Sequence, residues 1–154
     1  MKIAIASDHA GFAEKERLKP LLTELGIQFE DLGPGSEASV DYPDYARKVG
    51  DEVRSGHVEQ GLLVCGSGTG MAIAANKVPG VRAAVAWNEE TARLAREHND
   101  ANVLALGART TPNDQIPGIV RAWFNAKFDA GRHERRVEKI TEIEKEELGS
   151  AAPR

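Results

Sequence analysis

The chain has only one cysteine, Cys65, among its 154 residues. A single cysteine excludes an internal disulfide framework and is typical of proteins in a reducing compartment. Aromatic residues make up only 5% of the chain, so the core has to be built mainly from alanine, valine, leucine and isoleucine. These two shortages predict an intracellular protein with an aliphatic core.

Long hydrophobic runs and an excess of positive charge are also missing. The apolar stretch at residues 2–6 is too short for the core of a signal peptide, and no run approaches the length of a membrane span. The net charge is −4, from 20 basic and 24 acidic residues, which disfavours broad nucleic-acid binding because such binding needs a basic face. We therefore expect a cytoplasmic protein that binds neither membranes nor nucleic acid.

Residues 1–154 are predicted to form a single domain, because the length suits one and no repeat or linker interrupts it. Short apolar runs alternate with longer helical patterns, which predicts an α/β fold with a parallel sheet and helices on both faces. The predicted strands are 2–6, 28–32, 61–65, 81–86 and 102–107, and the predicted helices are 11–25, 42–54, 71–77, 89–97, 115–129 and 134–148. Residues 28–32 are the most polar of the strands and are predicted to form an edge, whereas the other four resemble strands covered on both faces.

The last predicted helix, 134–148, is strongly charged. Its apolar residues form one narrow stripe, which consists of Val137, Ile140, Ile143 and Leu148. Packing on a neighbouring subunit and packing on the same chain both remain open for this stripe. Residues 149–154 are expected to be a frayed tail.

Residues 61–70, GLLVCGSGTG, join the third predicted strand to the next helix through Gly66, Gly68 and Gly70. The common phosphate and dinucleotide motifs do not fit, because no Gly-Lys pair follows and Met71 stands where a third motif glycine would fall. Glycines allow positive φ angles and a close approach of ligand to backbone, and successive N–H groups at a helix start form an anion-binding concavity. The loop therefore predicts a site for a phosphate or for an oxyanion formed in a reaction, with a plain tight turn as the alternative.

Cys65 lies at the mouth of this loop. A free cysteine is most often a small buried hydrophobic residue. At the carboxyl end of a strand and facing a helix start, however, a thiol is favoured as the thiolate, which can act as a nucleophile or accept a proton. The residues alone leave both interpretations open.

Two pairs of polar residues accompany the thiol. Asp8 and His9 also follow a strand, so we expect them at the rim where the strands end, although Asp8 could simply cap the next helix. His98 and Asn99 end the fourth helix, where His98 is a candidate acid and where both could equally be ordinary helix-end residues. We expect both pairs to meet Cys65 at this one rim.

Arg132 and Arg136 are four residues apart and share a helix face if the last helix begins by Arg132. Guanidinium groups suit a phosphate dianion, and the alternative is a solvated helix start paired with downstream glutamates. The four histidines and the cysteine show none of the spacings typical of metal sites, so no metal is predicted.

Five stretches carry a family resemblance, namely SDHAGF, VDYPDYA, LLVCGSGTGMAIAANKVPGVRAA, REHNDANVLALGAR and GRHERRVEKI, which together cover residues 2 to about 145. In this order they resemble the ribose-5-phosphate isomerase B family, which also includes galactose-6-phosphate and allose-6-phosphate isomerases. The resemblance implies a three-layer α/β/α, Rossmann-like fold with a five-stranded parallel sheet and no cofactor or metal. It also implies a homodimer, sometimes paired into a tetramer, with active sites between subunits.

The resemblance further implies an aldose–ketose isomerase that interconverts ribose 5-phosphate and ribulose 5-phosphate. Cys65 would be the base that moves a proton through a cis-enediolate, and His98 the acid that helps to open the sugar ring. Asp8 and Ser67 would contact sugar hydroxyls, and the remaining residues would bind the substrate. The implied binding residues are Gly66, Ser67, Gly68, Thr69 and Gly70 for the enediolate, Asn99 for the sugar, and His9, Arg109, Arg132 and Arg136 for the phosphate, the last two from the partner chain.

A second branch of the family has a glutamate as base one residue after the loop, where this chain has Met71. Methionine cannot accept a proton, so the resemblance implies the cysteine mechanism. The stretches NKVPG, AVAW and LAREHN nevertheless resemble the glutamate branch, which leaves a six-carbon or four-carbon sugar phosphate open as the substrate. A non-catalytic phosphosugar-binding protein is the further alternative, and it would need neither Cys65 nor His98.

Overall fold

The computed structural model describes residues 1–149, so residues 150–154 of the predicted frayed tail lie outside the described part. The strands are β1 (Lys2–Ser7), β2 (Gln28–Asp31), β3 (Gln60–Cys65), β4 (Ala83–Val85) and β5 (Val103–Gly107). The helices are α1 (Phe12–Glu24), α2 (Tyr42–Arg54), α3 (Thr69–Ala75), α4 (Glu89–Asn99), α5 (Ile116–Asn125) and α6 (Arg132–Leu148). In this range no helix is both long enough and apolar enough to cross a bilayer.

The five strands form one parallel sheet in the order β2-β1-β3-β5-β4, between layers of helices. The predicted α/β/α fold is therefore confirmed, and β2 is an edge strand as expected. The prediction of four fully covered strands is wrong for β4, because β4 is the opposite edge and its three residues are only half-buried. An edge strand has a neighbour on one side alone, so solvent reaches it.

Alternate side chains of each central strand pack into separate cores on the two faces of the sheet. Along β3, Leu62 and Val64 face the core that includes α1, α4 and α5, whereas Leu63 and Cys65 face the core with α2 and α3. This alternation is the ordinary period of two of a β-strand. It places the thiol on the α2 and α3 side, directly under the glycine loop.

The last two helices differ from their predicted bounds. Helix α5 ends at Asn125 rather than at residue 129, because the chain turns to follow α4 and the N–H of Asp129 donates to the carbonyl of Glu97 at 3.0 Å. Helix α6 begins at Arg132, directly after Gly131 with its φ of +55°. Its stripe stays largely outside the core of the chain, since Ile143 remains 61% exposed.

Candidate active site

The carboxyl ends of β1, β3 and β5 lie side by side and are joined by backbone hydrogen bonds. The N–H of Asp8 donates to the carbonyl of Val64 at 3.1 Å. Beyond β5, the N–H groups of Ala108 and Arg109 donate to the carbonyls of Cys65 and Gly66 at 2.8 and 2.9 Å. The sheet therefore brings Asp8, Cys65 and Arg109 to one rim, as predicted for Asp8 and Cys65.

The thiol of Cys65 is buried, with 5% of the residue exposed, and its Sγ accepts the N–H of Gly68 at 3.1 Å. Gly68 has a φ of +78°, and an added Cβ would lie 3.0 Å from the carbonyl carbon of Leu106. Only glycine fits this position without strain, and it turns the loop so that an amide points at sulfur. A hydrogen bond donated to sulfur stabilises the negative charge of a thiolate. The geometry therefore favours a reactive Cys65 over a buried hydrophobic residue.

The rest of the glycine loop, residues 66–70, is covered on two sides. An added Cβ on Gly66 would lie 3.6 Å from Cδ of Arg109, so this arginine lies directly beside the loop. On the other side the ring of Tyr42 packs against Gly70, yet Tyr42 remains 41% exposed. Tyr42 is the first residue of α2 and was not among the predicted site residues.

Asp8 and His9 are held by the backbone. The carboxylate Oδ1 of Asp8 accepts the N–H of Gly11 at 2.9 Å, in the turn before α1. The N-cap residue of α1 is Gly11 and not Asp8, so the alternative that Asp8 simply caps this helix is wrong. Nδ1 of His9 accepts the N–H of Val40 at 3.3 Å. The neutral ring then carries its proton on Nε2, which is left as the donor for a ligand.

Four of the predicted site residues lie away from Cys65 in the folded chain. They are His98, Asn99, Arg132 and Arg136, and we call them the second group. Helix α4 runs back across the sheet, so the carbonyl of Asn99 accepts Nε of Arg82, the residue just before β4, at 3.2 Å. The ring of His98 stacks on that of His133 in α6, with centroids 4.2 Å apart. The start of α6, which carries both arginines, is therefore fixed beside the end of α4.

The second group is separated from the thiol within one chain. Cys65 pairs with Gly107 at the last position of β5, whereas the end of α4 leads into Val103 at the first. Five residues of a parallel strand span about 13 Å. The expectation that His98 and Asn99 share the rim of Cys65 is therefore wrong within a single chain.

His98 and His133 also lie close to Asp129, with one donor atom from each residue within 4.8 Å of the others. Sequence spacing did not predict this cluster, because its members come from two segments that meet only in the fold. The imidazole planes lie 13° from parallel, so their nitrogen lone pairs do not converge on one point. The nearby guanidinium groups of α6 also repel a cation, and the absence of a bound metal stays a prediction.

Partial burial and the positive charges of His98 and Arg132 hold the pKa of His133 below its ordinary value of 6.5. We expect His98→Asn to raise the pKa of His133, because the substitution removes one of these charges and opens the stack. The measurement is a titration of the histidine ring protons by NMR, with His57→Asn as the control that should leave His133 unchanged. An unaltered titration in His98→Asn would show that the rings are not stacked in solution.

The lowered pKa of His133 also makes the stability of the fold depend on pH. The unfolded chain protonates His133 more readily than the folded chain does, so the contribution of this residue to the free energy of unfolding falls as the pH drops below about 6.5.

Comparison with known proteins gives one consistent result. The model of the Ribose/Galactose Isomerase family matches residues 3–140. Ribose-5-phosphate isomerase B of Escherichia coli is 46% identical over 143 residues, which are 93% of this chain and 96% of that protein.

Solved structures agree. The ribose-5-phosphate isomerase B of Clostridium thermocellum is 50% identical, with a TM-score of 0.93 over 96% of this chain and 99% of that one. The enzyme of Mycoplasma genitalium with bound ribulose-5-phosphate is 44% identical, with a TM-score of 0.89 over 94% of this chain and 97% of that one.

Proposed function

This chain belongs to the ribose/galactose isomerase family, and on that premise we propose that it interconverts ribose 5-phosphate and ribulose 5-phosphate. The relative in Escherichia coli carries the name of this activity, and the related structure from Mycoplasma genitalium holds ribulose-5-phosphate. The observation in this chain that carries the proposal is the buried thiol of Cys65, whose sulfur accepts the N–H of Gly68 at 3.1 Å.

Aldose–ketose isomerisation needs a base beside a site for negative charge. The thiolate of Cys65 removes the proton from C2 of the open-chain aldose, and the carbonyl oxygen O1 gains negative charge in the cis-enediolate. The resulting thiol returns a proton to C1, while the hydroxyl proton of O2 passes to O1. Amides of the glycine loop, with the hydroxyl of Ser67, stabilise the enediolate, and one good donor of this kind contributes about 3–4 kcal/mol.

The phosphate binds at the cationic side of the rim. Arg109 lies beside Gly66, and His9 keeps its Nε2 proton available because Nδ1 is occupied by Val40. A guanidinium group gives two parallel donors to a phosphate, so Arg109 orients the substrate as well as attracting it. Asp8 contacts a sugar hydroxyl with the part of its carboxylate that Gly11 does not use.

The second group completes the site from a partner subunit. His98 acts in ring opening, Asn99 contacts the sugar, and Arg132 and Arg136 bind the phosphate. These residues lie about 13 Å or more from Cys65 along the sheet, which is too far for one chain to close the site on a five-carbon substrate. In a two-fold homodimer each chain supplies both groups, one to each of two equivalent sites.

A substrate panel tests the proposed function. We expect EDTA-treated protein to turn over ribose 5-phosphate faster than allose 6-phosphate, galactose 6-phosphate or erythrose 4-phosphate, with the same rate after metal is added back. A preference for another sugar phosphate would change the assigned substrate but would still identify the protein as an isomerase. Binding of ribose 5-phosphate without exchange of the C2 hydrogen with solvent would instead indicate a non-catalytic phosphosugar-binding protein.

A further inference from the structure

The side chain of Lys15, in the second turn of α1, is completely buried. Lysine is almost never fully buried unless it is paired, and here every donor position has an acceptor. The ammonium donates to Oδ1 and Oδ2 of Asp31 at 2.8 and 2.7 Å, and to the backbone carbonyl of Pro34 at 3.1 Å. Lys15 therefore holds the end of β2 and the residue three positions beyond it at the same time.

The segment that Lys15 holds is tied in turn to the start of the site. Oδ1 of Asp31 accepts the N–H of Gly33 at 2.9 Å, and the carbonyl of Gly33 accepts the N–H of Ser7 at 3.0 Å. Ser7 directly precedes Asp8. Burial raises the pKa of Asp31, but hydrogen bonds from Lys15, Lys19 and Gly33 outweigh that effect and leave the pKa lowered, so the carboxylate is charged near neutral pH.

The segment ends on a substrate-binding residue. From Pro34 the chain runs without helix or strand to Val40, whose N–H is the group that donates to Nδ1 of His9. The position of that N–H depends on the position of the first residue of segment 34–40. Lys15 holds this residue through the carbonyl of Pro34, and Gly33 just before it is bonded to Ser7. A displaced Val40 would free Nδ1 to carry the proton instead of Nε2.

We propose that Lys15 is a positioning residue for phosphate binding, which acts by anchoring segment 34–40 so that Val40 holds His9 in its Nε2-protonated tautomer. The inference rests on the proposed function, because it takes His9 as a contact of the substrate phosphate. Lys15 itself does not touch the substrate, since its ammonium is enclosed by Asp31, Pro34 and Glu16, whose Oε1 accepts from it at 3.3 Å.

Lys19 provides a matched control in the same helix. Its ammonium also lies 2.7 Å from Oδ2 of Asp31, but it has no hydrogen bond to the carbonyl of Pro34 and its side chain is 27% exposed. Lys15→Met and Lys19→Met therefore each remove one cation from the same carboxylate. Only Lys15→Met also releases the start of segment 34–40.

Two readouts test the proposal, one of which does not depend on activity. In nitrogen-15 NMR of the free protein, His9 is expected to be Nε2-protonated in the wild type and in Lys19→Met, and to become a mixture of tautomers in Lys15→Met. In steady-state assays with ribose 5-phosphate, Lys15→Met is expected to raise KM about tenfold with little change in kcat, the effect of losing one binding interaction of about 1.4 kcal/mol.

Removal of one partner of a buried pair can prevent folding, so the double variant Lys15→Met/Asp31→Asn is the second test. It leaves no unpaired buried charge but still lacks the bond to Pro34, and it should show the same mixture of tautomers. A lowered melting temperature with an unchanged His9 tautomer and an unchanged KM would overturn the proposal. A wild-type protein with no isomerase activity would overturn the proposed function instead, while the NMR comparison would still decide what Lys15 does to His9.

Discussion

Cys65→Ala is expected to reduce kcat for the isomerisation of ribose 5-phosphate by about 10²–10⁴-fold, with little change in substrate affinity. Alanine removes the proton acceptor at the end of β3 but leaves the loop amides, Arg109 and His9 in place. The residual rate should come from electrostatic stabilisation of the enediolate alone. Met71, where a glutamate could otherwise serve as base, is fully buried in the core and cannot replace the thiolate.

Cys65→Ser is the matched comparison, because a hydroxyl keeps a hydrogen-bond acceptor for Gly68 but is a much weaker acid than a thiol. It should fold as the wild type does and remain nearly inactive. Exchange of the C2 hydrogen with solvent deuterium reports proton transfer at C2, and it should be lost in both variants. Full activity of Cys65→Ala would show that another group is the base and that the buried thiol is only a small apolar residue.

The sequence predicted the strands well because their signals are local. All five apolar runs form strands within a few residues of the predicted bounds, and the alternation with helices determined the parallel sheet. The errors concern contacts between distant segments. Helix α5 ends early because the chain turns and the N–H of Asp129 donates to the carbonyl of Glu97. Strand β4 is only half-buried because it is an edge strand of the sheet.

The site shows the same division. Asp8 directly follows β1 and Cys65 ends β3, so the rule for parallel sheets placed them together. His98 lies in the last turn of helix α4, and a helix that connects two parallel strands runs back to their amino ends. That rule alone would have separated His98 from Cys65, whereas the contacts of His9 with Val40 and of Lys15 with Pro34 depend on a loop whose course no local pattern specifies.

If each site takes its two groups from different chains, two inactive variants should restore each other. Cys65→Ala lacks the base, and Arg132→Ala/Arg136→Ala lacks the phosphate contacts of the second group. A mixed dimer then contains one site with both defects and one site with none. After subunit exchange at equal concentrations the mixture should recover about a quarter of the wild-type activity, because half of the two-fold dimers are mixed and each has one intact site.

A mixture of Cys65→Ala with Cys65→Ser is the control, since both defects lie in the same group and no intact site can form. Native mass spectrometry should confirm that mixed dimers are present in both experiments. Mixed dimers without recovered activity would show that one chain builds the whole site, and then α6 would have to move across the sheet to bring Arg132 and Arg136 to Cys65. The stack of His98 on His133 and the hydrogen bond from the N–H of Gly80 to Glu144 hold α6 beside the end of α4 and the segment before β4, away from Cys65. We therefore expect activity to be recovered.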